Sequence, residues 1–165
     1  MEHSSTLIGF AQLSLVLTGF VAVFVAFFSK ERGSSKPDVH HALSMLIGSV
    51  LALLSALVPL VLDGYGLVGT DLWFWSSVAG LVLSSVYGVM MLNLTLRLSK
   101  EEFKQAGWLH MLVSYSLGFS AGGLMLWNVL SVPGPGHYIL AMILTLMVAL
   151  IGFVTFCVQN FLTLK

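Results

Sequence analysis

Five stretches of this chain contain no Asp, Glu, Lys or Arg: Leu7 to Phe28, His41 to Leu62, Leu72 to Leu96, Trp108 to Leu130 and Tyr138 to Leu162. Each is close to the roughly 20 apolar residues that cross a ~30 Å hydrocarbon core. They are apolar all round, without the alternation of barrel strands, so each is expected to be a helix that satisfies its own backbone in lipid. Only 8% of the residues are charged, against about 25% in a soluble domain, and the mean hydropathy is +0.98. The expected fold is therefore all-α: one polytopic transmembrane domain over residues 1–165, five helices in a compact bundle.

The connections carry the charge and orient the bundle. Lys30, Arg32 and Lys36 lie between the first two stretches, Arg97, Lys100 and Lys104 between the third and fourth, and Lys165 ends the chain. Five spans put all seven basic residues on one side, whereas four or six would split them. The positive-inside rule then predicts a cytoplasmic C-terminus and an N-terminus outside. The N-terminal MEHSST lacks the basic region of a secretory signal, so the first stretch reads as an uncleaved span. Trp73, Trp75, Trp127 and Tyr138 fall at outer span ends and Trp108 at an inner one, as an aromatic belt would. Pro133 to His137, "PGPGH", break the last two spans apart.

Small residues recur every fourth position: Ser14, Thr18, Ala22, Ala26; Ser44, Gly48, Ala52, Ala56; Ser76, Gly80, Ser84, Gly88; Ser114, Gly118, Gly122; Ala141, Thr145, Ala149. Such rows stay near one helix face and are expected to bring backbones close. The polar inventory within the spans is short: Gln12, Asn93, Asn128, Gln159, Asn160, Tyr87, Tyr115 and His110. Interhelical hydrogen bonds of about 0.6 kcal/mol each are a sufficient role for these groups, with a polar pathway as the functional alternative. Asn93-Leu94-Thr95 matches a glycosylation sequon at a cytoplasmic span end, where it is inert.

Catalytic chemistry finds no foothold. There is no nucleophile–base pair, phosphate loop or metalloprotease motif, and the single cysteine, Cys157, rules out an internal disulfide or a cysteine-cluster metal site. Coupled transport usually needs an ionisable group inside the membrane. A formal net charge of zero removes the electrostatic case for nucleic acid. Between spans, "LDGYGLVGTDLW" holds Asp63 and Asp71 among glycines and reads as a polar hairpin rather than a cation site. "SKEEFKQ", Ser99 to Gln105, has capping-box spacing from Ser99 to Glu102 and reads as a short interfacial segment. Its Lys100 and Lys104 are placed to meet anionic lipid headgroups.

The histidines need separate weighing. Ser35 and Asp38 have capping-box spacing, and Pro37 favours a first turn, so His40 and His41 follow a helix start at headgroup level. Adjacent on a helix, they point about 100° apart and do not easily share a metal. His41 and His110, however, enter the second and fourth spans from the same side. Two histidines on different helices are what b-type haem ligation needs, while His3 and His137 offer no second pair outside. A pH response of His40 and His41 is a further expectation.

Four segments, "LTGFVAVFVAFFSKERG", "LLSALVPLVL", "DLWFWSSVAGLVL" and "GHYILAMILTLMVALIGFVTF", resemble a loosely defined group of uncharacterised bacterial small multi-spanning membrane proteins. That resemblance implies an integral protein of the bacterial inner membrane and carries over no functional residue. The expected function is thus a non-enzymatic one: an oligomeric pore or channel, or an accessory subunit working with copies of itself or other membrane subunits. The alternative is a haem-binding electron-transfer subunit using His41 and His110.

Overall fold

The computed structural model of the chain describes residues 2–32 and 35–162, with side chains over 2–27 and 35–158. Lys165 and the side chains of Lys30, Arg32, Gln159 and Asn160 lie outside the described residues. Among those described there are six helices and no strand: α1 (Ser4–Arg32), α2 (Lys36–Gly64), α3 (Gly69–Leu96), α4 (Lys100–Ala106), α5 (Trp108–Leu130) and α6 (Pro135–Leu162). Five of these, all but α4, are long and apolar enough to cross a membrane. Their bounds agree with the stretches free of charge to within five residues, the largest difference being the start of α2 at Lys36 rather than His41.

The helix starts follow local chemistry. At α2, Asp38 donates its backbone N–H to Ser35 Oγ while its carboxylate accepts from the Ser35 N–H, each at 3.3 Å, and Pro37 occupies the first turn, where no N–H is needed. The end of α2 is a Schellman turn. Leu67 N–H bonds Leu62 O and Gly66 N–H bonds Asp63 O, with Gly66 at φ 87°, a conformation that favours glycine. α4 has its own capping box: Ser99 N–H donates to Glu102 Oε2 at 2.7 Å, and Glu102 N–H to Ser99 Oγ at 3.2 Å. Gly107, at φ 83°, then turns the chain sharply into α5.

α2 and α6 are the most buried spans and form the centre. Gly48 of α2 lies against Ala149 of α6, so close that an added Cβ would sit 3.4 Å from the Ala149 Cβ. Ala52, Ala56, Ala141 and Ala149 are buried along the same seam, which is the close approach that small residues permit without a hydrophobic driving force in lipid. α1 packs on α2, where the hydroxyls of Thr18 and Ser49 meet at 2.9 Å, and its Phe20 and Phe24 rings reach Phe153 of α6. α3 and α5 complete the bundle against α2 and α6. Three rows depart from the expectation: Ala22 and Ala26 of α1 are exposed, as is Gly88 of α3, and a Cβ on Gly118 or Gly122 of α5 would meet nothing within 4 Å.

Two expected belt aromatics belong to the core instead. Trp73 is 6% exposed and Tyr138 fully buried, with ring centres 5.7 Å apart. The reason lies in Pro59, inside α2. Proline has no N–H, so the carbonyl of Ser55, four residues earlier, loses its helical donor. Tyr138 O–H supplies it across the bundle at 2.6 Å. Trp75, Trp108 and Trp127 remain exposed, as a belt requires.

Lys36, Arg97, Lys100 and Lys104 come to one end of the bundle, at the start of α2, the end of α3 and along α4. There Lys36 Nζ lies 3.3 Å from Glu102 Oε1. Donation from the Ser99 backbone N–H, with help from the Lys36 ammonium, holds the Glu102 carboxyl below the usual glutamate range. A folded-state value below the unfolded one stabilises α4 at neutral pH, and the stabilisation is lost as pH falls through the depressed value. Trp108 emission, read just beyond α4, is accordingly expected to change below the ordinary glutamate range. Glu102→Gln should flatten that response; an unchanged profile in the variant would remove Glu102 from the account.

Candidate functional site

The basic end of the bundle also gathers the histidines. His40 and His41 leave the first turns of α2, and His110 the first turn of α5, and all three are buried. His41 and His110 pack edge to face with ring centres 4.9 Å apart and planes at 77°; His40 and His41 are 6.0 Å apart. His41 and His110, which the sequence places at the same end of the second and fourth spans, are in contact across the bundle. The contact is ring on ring, a favourable geometry for two aromatic faces, and an iron with its porphyrin between them would have to part the rings. Among the described residues no three His, Cys, Asp or Glu side chains converge as metal ligands.

Each ring is held by a specific partner. His41 Nε2 lies 3.0 Å from the carbonyl oxygen of Ala106, the last residue of α4, so this nitrogen carries the proton and donates it. The bond fastens α4 across the base of the bundle and satisfies a helix-terminal carbonyl that has no helical partner. His40 Nε2 lies 2.8 Å from Thr95 Oγ1, which is 2.6 Å from the Tyr115 hydroxyl. His110 Nε2 is 3.3 Å from Ser114 Oγ. Nearby, Tyr87 O–H donates to the Ser44 carbonyl at 3.2 Å, with the Ser44 hydroxyl 3.3 Å away. α2, α3 and α5 are thus laced together by neutral hydroxyls and imidazoles.

This polar cluster closes one end of a groove of about 500 Å³ between α3 and α5, floored by α2 and α6. That volume falls within the ~300–1,000 Å³ typical of small-molecule sites. Its α5 wall runs from His110 to Leu126, about 24 Å of helix at 1.5 Å per residue. The walls are apolar, and no lining residue is Asp, Glu, Lys or Arg. Val89, Leu92 and Phe119 line it and are also exposed on the flank of the bundle, so the groove opens sideways rather than along the bundle axis.

Glycine makes the space. A Cβ placed on Gly88, Gly118, Gly122 or Gly123 would meet nothing within 4 Å. The small-residue rows of α3 and α5 therefore divide by function. Gly80 is tightly packed, with the site of a Cβ only 2.7 Å from Met125 Sδ. One to two turns further on, Ser84, Gly88, Ser114, Gly118 and Gly122 line a gap instead of a seam. Sequence reasoning placed Tyr87, Tyr115 and His110 in the polar inventory but took Ser44 for packing and Thr95 for part of an inert sequon. Their shared position toward the basic ends of α2 and α3 was the available signal. Asn93 only accepts from Arg97 Nε, at 3.1 Å on the surface.

No family model, curated protein or solved structure matches this chain.

Proposed function

We propose that this protein is a non-enzymatic integral membrane binding protein, an accessory subunit that takes a neutral, largely apolar small molecule from the lipid phase into the groove between α3 and α5. The observation that carries the reading is the groove itself: apolar, open on the flank, closed at the basic end by uncharged polar groups. An anionic headgroup would need a cation in the wall, and none lines it; a buried charge without a partner is costly. A molecule with a polar head at the histidine end and a tail directed toward the bilayer centre matches this layout. By the positive-inside rule the head then lies on the cytoplasmic side, in our reading of a bacterial inner membrane. Lys100 and Lys104, exposed on α4, would rest against anionic lipid headgroups there.

The pore expected from the sequence would require several copies around an axis; a symmetric ring in nanodiscs would favour it over a binding subunit. The haem alternative rests on His41 and His110 meeting at one end of the bundle, but it needs their rings to part around the iron; a Soret band in the purified protein would support it.

Filling the groove tests the binding reading. Because positions 88 and 118 face open space, Gly88→Leu and Gly118→Phe are expected to fold normally. Native mass spectrometry of the wild-type protein should show one neutral lipid-like molecule per chain, with occupancy reduced by roughly tenfold or more in the variants, a loss of about 1.4 kcal/mol of binding. Equal occupancy in wild type and both variants, or none in the wild type, would defeat the proposal.

A further inference from the structure

Each hydroxyl and each neutral imidazole has a single proton to give, and at the closed end of the groove most of these protons can be assigned. The Thr95 hydroxyl donates to the Met91 carbonyl at 2.9 Å, since a carbonyl can only accept. Thr95 Oγ1 has no second proton, so its two other neighbours must both donate to it: His40 through Nε2–H and Tyr115 through its phenolic O–H. Tyr87 likewise gives its proton to the Ser44 carbonyl, and His41 gives its Nε2–H to Ala106. The lone pairs remain. The His40 Nδ1, in the groove wall, is buried without a partner. The phenolic oxygens of Tyr115 and Tyr87, also in the wall, have their protons committed elsewhere, with the Ser44 hydroxyl left to donate to the Tyr87 oxygen. His110 and Ser114 hold two protons for one shared bond and so keep one uncommitted. Around Tyr115 and Tyr87 the groove end is therefore rich in acceptors and poor in donors, with an uncommitted proton left only on the neighbouring His110–Ser114 pair.

We infer that the groove selects a ligand whose head is a hydrogen-bond donor, a hydroxyl-bearing amphiphile such as a long-chain or isoprenoid alcohol, accepted by the Tyr115 phenolic oxygen with Tyr87 beside it. This inference rests on the binding role proposed above and names the chemistry of its ligand. A carbonyl, ester or ether head brings only lone pairs and would face lone pairs at Tyr115 and Tyr87, losing its hydrogen bonds to water there without replacement. A protonated amine could also donate, but no Asp or Glu lines the groove to balance its charge. The hydroxyl satisfies the acceptors and remains neutral. The apolar walls beyond Gly118 then receive its chain.

Three probes of one skeleton isolate the effect: farnesol, farnesal and farnesyl methyl ether. Each is titrated into nanodisc-embedded protein and followed by thermal shift, with binding corrected for partition into empty nanodiscs. Farnesol is expected to bind three- to tenfold more tightly than the aldehyde or ether, roughly what one hydrogen bond contributes in such a site. In the Tyr87→Phe/Tyr115→Phe double variant the three should bind alike, since the rings still fill the wall but the acceptors are gone. Equal binding of all three to the wild type, or tighter binding of the aldehyde, would overturn the donor-head inference while leaving the groove as a binding site. If none of the three binds or competes with the co-purified molecule, the binding role fails with it. The wild-type comparison stands alone should the double variant not fold.

Discussion

Tyr138→Phe is expected to destabilise the bundle by about 2 kcal/mol, the order of leaving one buried acceptor unsatisfied. The substitution keeps the ring among Trp73 and the core residues around it and removes a single oxygen. That oxygen serves the Ser55 carbonyl, which Pro59 has deprived of its helical donor. Restoring the donor should therefore rescue the loss. In a Pro59→Ala background, residue 59 regains an N–H that can reach the Ser55 carbonyl, and Tyr138→Phe should then cost less than half as much. The cycle is measured by unfolding in a denaturing-detergent titration, and the coupling between positions 59 and 138 should reach about 1 kcal/mol, as for residues sharing one network. Additive effects would mean that the tyrosine hydroxyl and the proline are unrelated.

Asn128→Leu should cost more, roughly 3 kcal/mol, because it strips partners from the buried Ser77 hydroxyl and both partly buried backbone groups of Gly134 at once. Asn128 is fully buried. Its Nδ2 donates to Ser77 Oγ at 2.8 Å and to the Gly134 carbonyl at 3.1 Å, and its Oδ1 accepts from Gly134 N–H at 3.0 Å. One side chain thus pins the α5–α6 connection to itself and to α3. An average interhelical polar contact, about 0.6 kcal/mol, understates such a site, since the Gly134 amide lies in a proline-flanked turn and cannot bond within a helix. The same denaturant titration reads the loss, and protease cleavage near residues 131–134 should accelerate. A change under about 0.5 kcal/mol, typical of a neutral surface substitution, would refute the bracing role.

Both residues show where one-dimensional reading succeeds and where it stops. The spans were legible because the bilayer acts on every residue of a helix in the same way: a run without charge of the right length is a local property. The capping boxes at Ser35–Asp38 and Ser99–Glu102 were legible for the same reason, since each lies within one turn of helix. The contact of His41 with His110 could be anticipated from span order and depth, which place both on the same end. Tyr138 could not be read this way. It sits at a span end and fits the aromatic belt by position, and only its distance from a carbonyl 83 residues away assigns it to the core.

The small residues draw the dividing line. Charge, length and spacing alone determine five membrane-length helices, their breaks and their basic end, because lipid exclusion of charge and helix capping act locally. Whether a glycine row becomes a seam or a void was decided by the tertiary structure. Gly48 meets Ala149 and Gly80 meets Met125, whereas Gly88 and Gly118 meet nothing. A missing side chain permits close approach and leaves space equally well, and the choice belongs to the side chain that comes opposite it.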